Sequence, residues 1–107
     1  MAGIEAARIR RRGRFRMEPM DRDDRLKRLR FRAWHRGTRE ADLLVGGFFD
    51  ADHDRWGERE MAWFERLLEE QDSDILAWAF GTAAAPERLA GELMLRLRKV
   101  NYIKRPD

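Results

Sequence analysis

Apolar residues recur at helical spacing from Leu26 to Val100, and no stretch alternates at strand spacing. A chain patterned at i, i+3, i+4 and i+7 hides its apolar side chains by packing helix on helix. Leu26, Leu29 and Ala33 make the first face, with Phe31 and Trp34 as a flanking stripe. Ala41, Leu44, Val45 and Phe48 make a second. Met61, Phe64, Leu67 and Leu68 make a third, along "EREMAWFERLLEEQ", with Glu58, Arg59, Glu65, Arg66 and Glu69 left to water. "DSDILAWAFG" is a short fourth helix, and Leu89, Leu93, Leu97 and Val100 line a fifth.

Local punctuation agrees with this division. Asp23 or Asp24 is placed to cap the first helix, Thr38 the second, and Asp72 or Ser73 the fourth. Gly37 and Gly81 read as stops, and "TAAAPERLAG" as a loop with Pro86 near the first turn of the fifth helix. Gly46 and Gly47 are expected to interrupt the second helix and to let another helix come close. "FFDADHDRWG" reads as that helix's end and a loop. The fold class expected is all-α: a compact bundle of about five helices over residues 23–103, with a disordered Arg-rich tail at 1–22 and a frayed end at 104–107.

Charge is uneven along the chain. Residues 1–22 hold seven arginines against three acids, whereas residues 23–107 hold 16 basic and 17 acidic residues. The excess lies in "RIRRRGRFR", outside the patterned region, and the body is nearly neutral. A nucleic-acid binder usually carries its basic surface on the folded domain. The tail therefore reads as solvated, with an RNA-binding arm or a targeting peptide as alternatives. There is no cysteine, which removes disulfides and thiolate chemistry and fits a reducing compartment. No uncharged apolar run is long enough for a membrane span, so no membrane insertion is expected.

Catalytic signatures are missing. There is no GxGxxG, P-loop or HExxH pattern, Ser73 is the only serine, and His35 and His53 are isolated. "DADHD" gives Asp50, Asp52 and Asp54 the 1-3-5 spacing of a calcium loop, but Arg55 and Met61 stand where such a loop needs glycine and glutamate. A metal site is not expected.

What is left is "HRGTREAD", residues 35–42. One reading is a plain helix corner, with Gly37 as stop and Glu40 complementing the next helix's dipole. The other uses the same geometry for contact. A glycine corner lets a partner's backbone come close, and Arg36 and Arg39 offer charge-assisted hydrogen bonds while Glu40 orients an arginine. Arg25, Arg28, Arg32 and Arg36 share one helix face, either a solvated stripe or one that steers association with an acidic surface. Trp34, just before the corner, is either a packing wedge or the border of a contact surface.

These residues carry a resemblance. Arg36, Gly37, Glu40 and Asp42 stand where the succinate dehydrogenase FAD assembly factors, the flavinylation factors, have their Arg-Gly-x-x-Glu motif and following acid. "GFFD", residues 47–50, and "RLLEEQDSDILAWAFG", residues 66–81 with Trp78, are similar to two further family segments, in the same order. The resemblance spans roughly residues 25–103. It implies a five-helix bundle that is not itself an enzyme and binds no cofactor of its own. Such a protein binds the flavoprotein subunit of succinate dehydrogenase, in some bacteria also that of fumarate reductase, and promotes covalent FAD attachment to it. The partner's own histidine becomes bonded to the 8α carbon of FAD. By resemblance and position, Arg36, Gly37, Arg39, Glu40, Asp42, Phe48, Phe49 and Asp50 are the expected partner-binding residues. The protein is expected to be a monomer in the bacterial cytoplasm, with the mitochondrial matrix as the alternative location. A nucleic-acid-binding, antitoxin-like helical regulator is the alternative function.

Overall fold

The computed structural model describes residues 21–99. Five α-helices occupy this span: α1 (Arg22–Trp34), α2 (Arg39–Asp52), α3 (Glu58–Leu68), α4 (Asp72–Phe80) and α5 (Glu92–Lys99). Short 3-10 turns at His53–Arg55 and Glu87–Leu89 join α2 to α3 and α4 to α5. No strand occurs among the described residues, so the all-α expectation holds. The expectations for residues 1–20 and for Val100 to the C-terminus lie outside the described residues.

Most element boundaries have a local cause. Asp21, rather than Asp23 or Asp24, caps α1, its side chain accepting from the Asp24 N–H at 2.9 Å. Thr38 caps α2, with Oγ1 accepting from the Ala41 N–H at 3.2 Å. Glu60 reaches back to the Gly57 N–H at 2.9 Å and closes the start of α3. Gln71 takes the N-cap position of α4 without a side-chain bond, so Asp72 and Ser73 fall inside the helix. Gly81 ends α4 at φ +81°, a conformation favouring glycine.

The core is one cluster. Leu29 and Ala33 of α1, Leu44, Val45, Phe48 and Phe49 of α2, and Phe64 and Leu67 of α3 meet there. Ile75 of α4 and Met94 and Leu97 of α5 close it. Aromatic rings pack at tilted or edge-on angles through its centre, Trp56 on Phe64 at 4.9 Å and on Phe49 at 5.5 Å. α1 and α2 form the principal helix pair, with α3 against α1 and α4 bridging α2 and α5.

Two expectations about this frame need correction. Gly46 and Gly47 do not interrupt α2, which runs unbroken to Asp52. Gly46 does permit close approach: a Cβ there would meet the Trp34 ring at 2.3 Å. Its missing side chain is the space the indole fills. No α-helix runs between Phe80 and Glu92, as the loop expected over "TAAAPERLAG" requires, but the fifth helix begins only at Glu92, so Leu89 does not line it. Leu89 belongs to the preceding 3-10 turn, where its carbonyl accepts from Trp63 Nε1 at 2.9 Å. Helical spacing alone could not separate that turn from the helix behind it.

Candidate functional site

α1 stops at Trp34 and α2 starts at Arg39, so His35, Arg36, Gly37 and Thr38 make the corner. Gly37 has φ +121°, a backbone state that side chains rarely adopt. It is exposed, and nothing lies within 4 Å of where its Cβ would stand. The glycine is therefore required by backbone conformation, and the space over it is open.

Arg36 turns inward. Its side chain is 11 % exposed, and Nε donates to Asp72 Oδ1 at 2.8 Å. Nη1 donates to the Leu68 carbonyl at 2.8 Å and Nη2 to the Glu70 carbonyl at 2.7 Å. The last carbonyls of a helix have no partner within it, so the guanidinium caps the end of α3 while its charge pairs with the first turn of α4. All three side-chain nitrogens are thus used inside the molecule. That differs from the expectation of direct contact with a partner. Asp42 is used internally as well: its Oδ1 accepts the Arg36 N–H at 2.6 Å. Together they form a frame that fixes the corner against the α3–α4 junction.

Arg39 and Glu40, in the first turn of α2, are exposed, and neither forms an ion pair with any described residue. The outward groups are therefore Gly37, Arg39 and Glu40. Trp34 forms one wall of a cavity of about 540 Å³ beside them, shared with Arg39, Asp42 and Leu43. His35 lines it too; its Nδ1–H donates to the Phe31 carbonyl at 2.7 Å and its ring stacks on Phe31.

The "GFFD" segment is placed differently. Phe48 and Phe49 are core residues, 0 % and 2 % exposed, and offer a partner almost no side-chain surface. Their spacing on the apolar face of α2 already carried that signal. Asp50 is exposed and pairs with Arg30 of α1 at 3.4 Å. It lies three turns beyond the corner, roughly 16 Å away at 1.5 Å per residue, so the structure does not bring it to Gly37.

The arginine stripe of α1 is spent mainly on α3. Arg25 donates to both Glu65 oxygens at 2.9 Å and to Glu58 at 2.6 Å. Arg32 pairs with Glu69 at 2.9 Å. The hydrogen bond from Arg25 holds the Glu65 carboxyl below its ordinary range, against a smaller opposing effect of burial. Of the stripe, Arg28 alone lies exposed without an ion pair among the described residues.

The middle acid of "DADHD" turns inward. Asp52 is buried, accepts from Trp56 Nε1 at 2.8 Å and receives Arg96 from α5 at 2.8 Å. Burial raises its carboxyl pKa, but the hydrogen bonds from Arg96 and Trp56 outweigh it and leave it below the ordinary value. Among the described residues no group of potential ligands could hold a metal, and no helix is long and apolar enough to cross a membrane.

Comparison with known proteins decides the family. Residues 27–101 match the family described as flavinator of succinate dehydrogenase. The chain belongs to that family. A flavinator relative from Acetobacter pasteurianus, named FAD assembly factor SdhE, is 40% identical over 81 residues, 76% of this chain and 74% of its own length. A Schizosaccharomyces pombe protein named succinate dehydrogenase assembly factor 2, mitochondrial, is 37% identical over 67 residues, 63% of this chain and 48% of its own. The Saccharomyces cerevisiae protein of that name is 34% identical over 82 residues, 74% of this chain and 49% of its own. The chain thus spans about half the length of these two yeast flavinator relatives. The matched span contains the whole Gly37 corner and the α3–α4 junction that anchors it.

Proposed function

We propose that this protein is an assembly factor that binds the flavoprotein subunit of succinate dehydrogenase and promotes covalent attachment of FAD to it. One observation carries the reading. In a chain of the flavinator family, an open glycine corner is locked to the body by an arginine that caps another helix. A rigid, uncovered backbone flanked by Arg39 and Glu40 suits docking against a protein surface. Gly37, Arg39 and Glu40 make the contact, and Arg36 and Asp42 hold them in place.

The protein has no active site of its own and binds no cofactor by itself. Its contribution is positioning: docking holds the client's domains so that its own residue and flavin are aligned. The bond-forming chemistry belongs to the client's FAD and histidine. A single chain suffices, acting in the compartment where the flavoprotein folds, the cytoplasm of a bacterium or the matrix of a mitochondrion. Fumarate reductase flavoprotein is a second client where a cell makes it.

The test is genetic and biochemical. Cells lacking the protein should hold flavoprotein subunit with little covalent flavin, read as lost flavin fluorescence on a denaturing gel. The wild-type chain should restore the signal and the Gly37→Arg chain should not. Undiminished covalent flavin in the deletion strain overturns the proposal.

A further inference from the structure

Phe31 sits where a helix of this bundle is expected to be polar. Leu29 and Ala33 carry α1 into the core, and at 3.6 residues per turn Phe31 lies on the opposite side. It is 62 % exposed, more than any other large apolar residue among the described ones. A lone exposed apolar side chain is ordinary. Phe31 is not alone. His35 stacks on it, with ring centroids 3.9 Å apart and planes 19° from parallel. The Nδ1–H of His35 donates to the Phe31 carbonyl at 2.7 Å, so the second ring is held from one turn away. The pair is a fixed aromatic surface facing solvent, with little side-chain freedom left to lose when something covers it.

Its surroundings say what would cover it. The pair is continuous with the corner, because His35 also lines the cavity of about 540 Å³ that holds Gly37, Thr38 and Arg39. A surface seated over Gly37 and running back along α1 meets Phe31 next. The flank is cationic. Lys27 and Arg28, one turn before Phe31, are exposed, and neither forms an ion pair with any described residue. The acids of α1, Asp23 and Asp24, are confined to its first turn. Beyond the corner, Arg39 and Glu40 offset each other in sign. A protruding aromatic ring with a cationic flank fits an apolar recess edged by carboxylates.

We infer that the stacked Phe31–His35 pair is a second anchor of the docking surface, seated in an apolar recess of the client flavoprotein whose rim is acidic. This rests on the docking reading given above and adds to it the chemistry of the client's surface. Phe31 supplies the apolar area, His35 holds the ring in line with the corner, and Lys27 and Arg28 steer the encounter. Two points of attachment, the open backbone at Gly37 and the ring along α1, also set the client's orientation, which one point alone leaves free to rotate.

The experiment uses the full chain, with purified apo-flavoprotein subunit of succinate dehydrogenase as probe. Phe31→Ala should melt at the wild-type temperature or above it, since the ring is exposed and alanine favours the helix. It should nevertheless bind the subunit about ten- to thirty-fold more weakly, whereas Phe31→Leu keeps most of the affinity. Arg28→Glu should slow association several-fold at low salt and change dissociation little. Wild-type affinity in Phe31→Ala, or unchanged association in Arg28→Glu, overturns the inference. Gly37→Arg separates the two levels. Binding lost in Gly37→Arg but kept in Phe31→Ala overturns the aromatic anchor and leaves the docking corner standing; wild-type affinity in both overturns the corner as well. A cationic helix face with an exposed ring also suits a lipid surface, so vesicles containing phosphatidylglycerol serve as the counter-probe. Vesicle binding that Phe31→Ala abolishes, with binding to the subunit unchanged, overturns the inference.

Discussion

Arg36 and Asp72 meet at 2.8 Å, and this pair joins the Gly37 corner to the junction of α3 and α4. The same guanidinium takes the last carbonyl of α3, at Leu68, and that of Glu70 in the turn behind it. Arg36→Ala should therefore unfold the protein more readily as well as weaken docking. Removing one partner of a largely buried, hydrogen-bonded charge typically costs about 3–5 kcal/mol; solvent access at Asp72 lowers the expectation to roughly 2–3 kcal/mol. Arg36→Lys should recover little, because one ammonium cannot serve three acceptors spread over a planar fork. Denaturant melts check this. Wild-type stability in Arg36→Ala would show that the cap is dispensable.

Gly46 is the second point where packing dictates sequence. A Cβ there would stand 2.3 Å from the Trp34 ring, too close without movement. Gly46→Ala gains about 1 kcal/mol of helix propensity but forces overpacking, which typically costs about 1–3 kcal/mol. The net effect should be a loss of up to about 2 kcal/mol. In a Trp34→Ala background the clash is gone and the propensity gain should remain, so the sign should reverse. A double-mutant cycle reads this coupling directly.

Much of this was legible beforehand, and the part that was not has a common cause. Thr38 as cap, Gly81 as stop and the apolar faces of α2 and α3 follow from local rules, and the structure has them. Arg36, Arg25 and Arg32 are harder. Helical spacing puts them on one side of α1 but does not say what that side faces. It faces α3, where Glu58, Glu65 and Glu69 wait. Glu58 and Glu69 remain largely exposed, as their place away from the apolar stripe of their helix predicts, and only Glu65 is drawn partly under an arginine. Complementary stripes on two helices look solvated until the packing of the pair is known. For Gly37 the sequence predicted a helix stop, and the structure supplies the conformational reason, a positive φ with open space above it.

Acid should loosen α5. Asp52 is held below the ordinary carboxylate value in the folded protein, the hydrogen bonds from Arg96 and Trp56 outweighing the effect of burial. A folded-state pKa below the unfolded one contributes stability above the unfolded value, near 4, and loses it as pH falls through the folded value. Glu65 adds in the same direction through Arg25. Stability should therefore be flat in pH from about 5 to 7 and decline below about 4. Asp52→Asn should be less stable at neutral pH and show a shallower acid decline. Equal acid slopes for the variant and wild type would rule Asp52 out as a contributor.

Gly37 offers a way to divide backbone strain from surface obstruction. Both Gly37→Ala and Gly37→Arg must place a side chain at φ +121°, and both should lose about 1–2 kcal/mol for it. Neither meets a clash within the protein, because the Cβ position is open. Their stabilities should therefore match within a few tenths of a kcal/mol. Their docking should not match. Alanine adds one methyl group above the corner, whereas arginine fills the approach to it and adds a charge beside Arg39. Affinity for the flavoprotein subunit should fall modestly in Gly37→Ala and be abolished in Gly37→Arg, and covalent flavin in complemented cells should follow that order. If the two variants bind equally poorly at equal stability, the corner acts through its backbone shape, and the space over Gly37 is not where the client's chain passes.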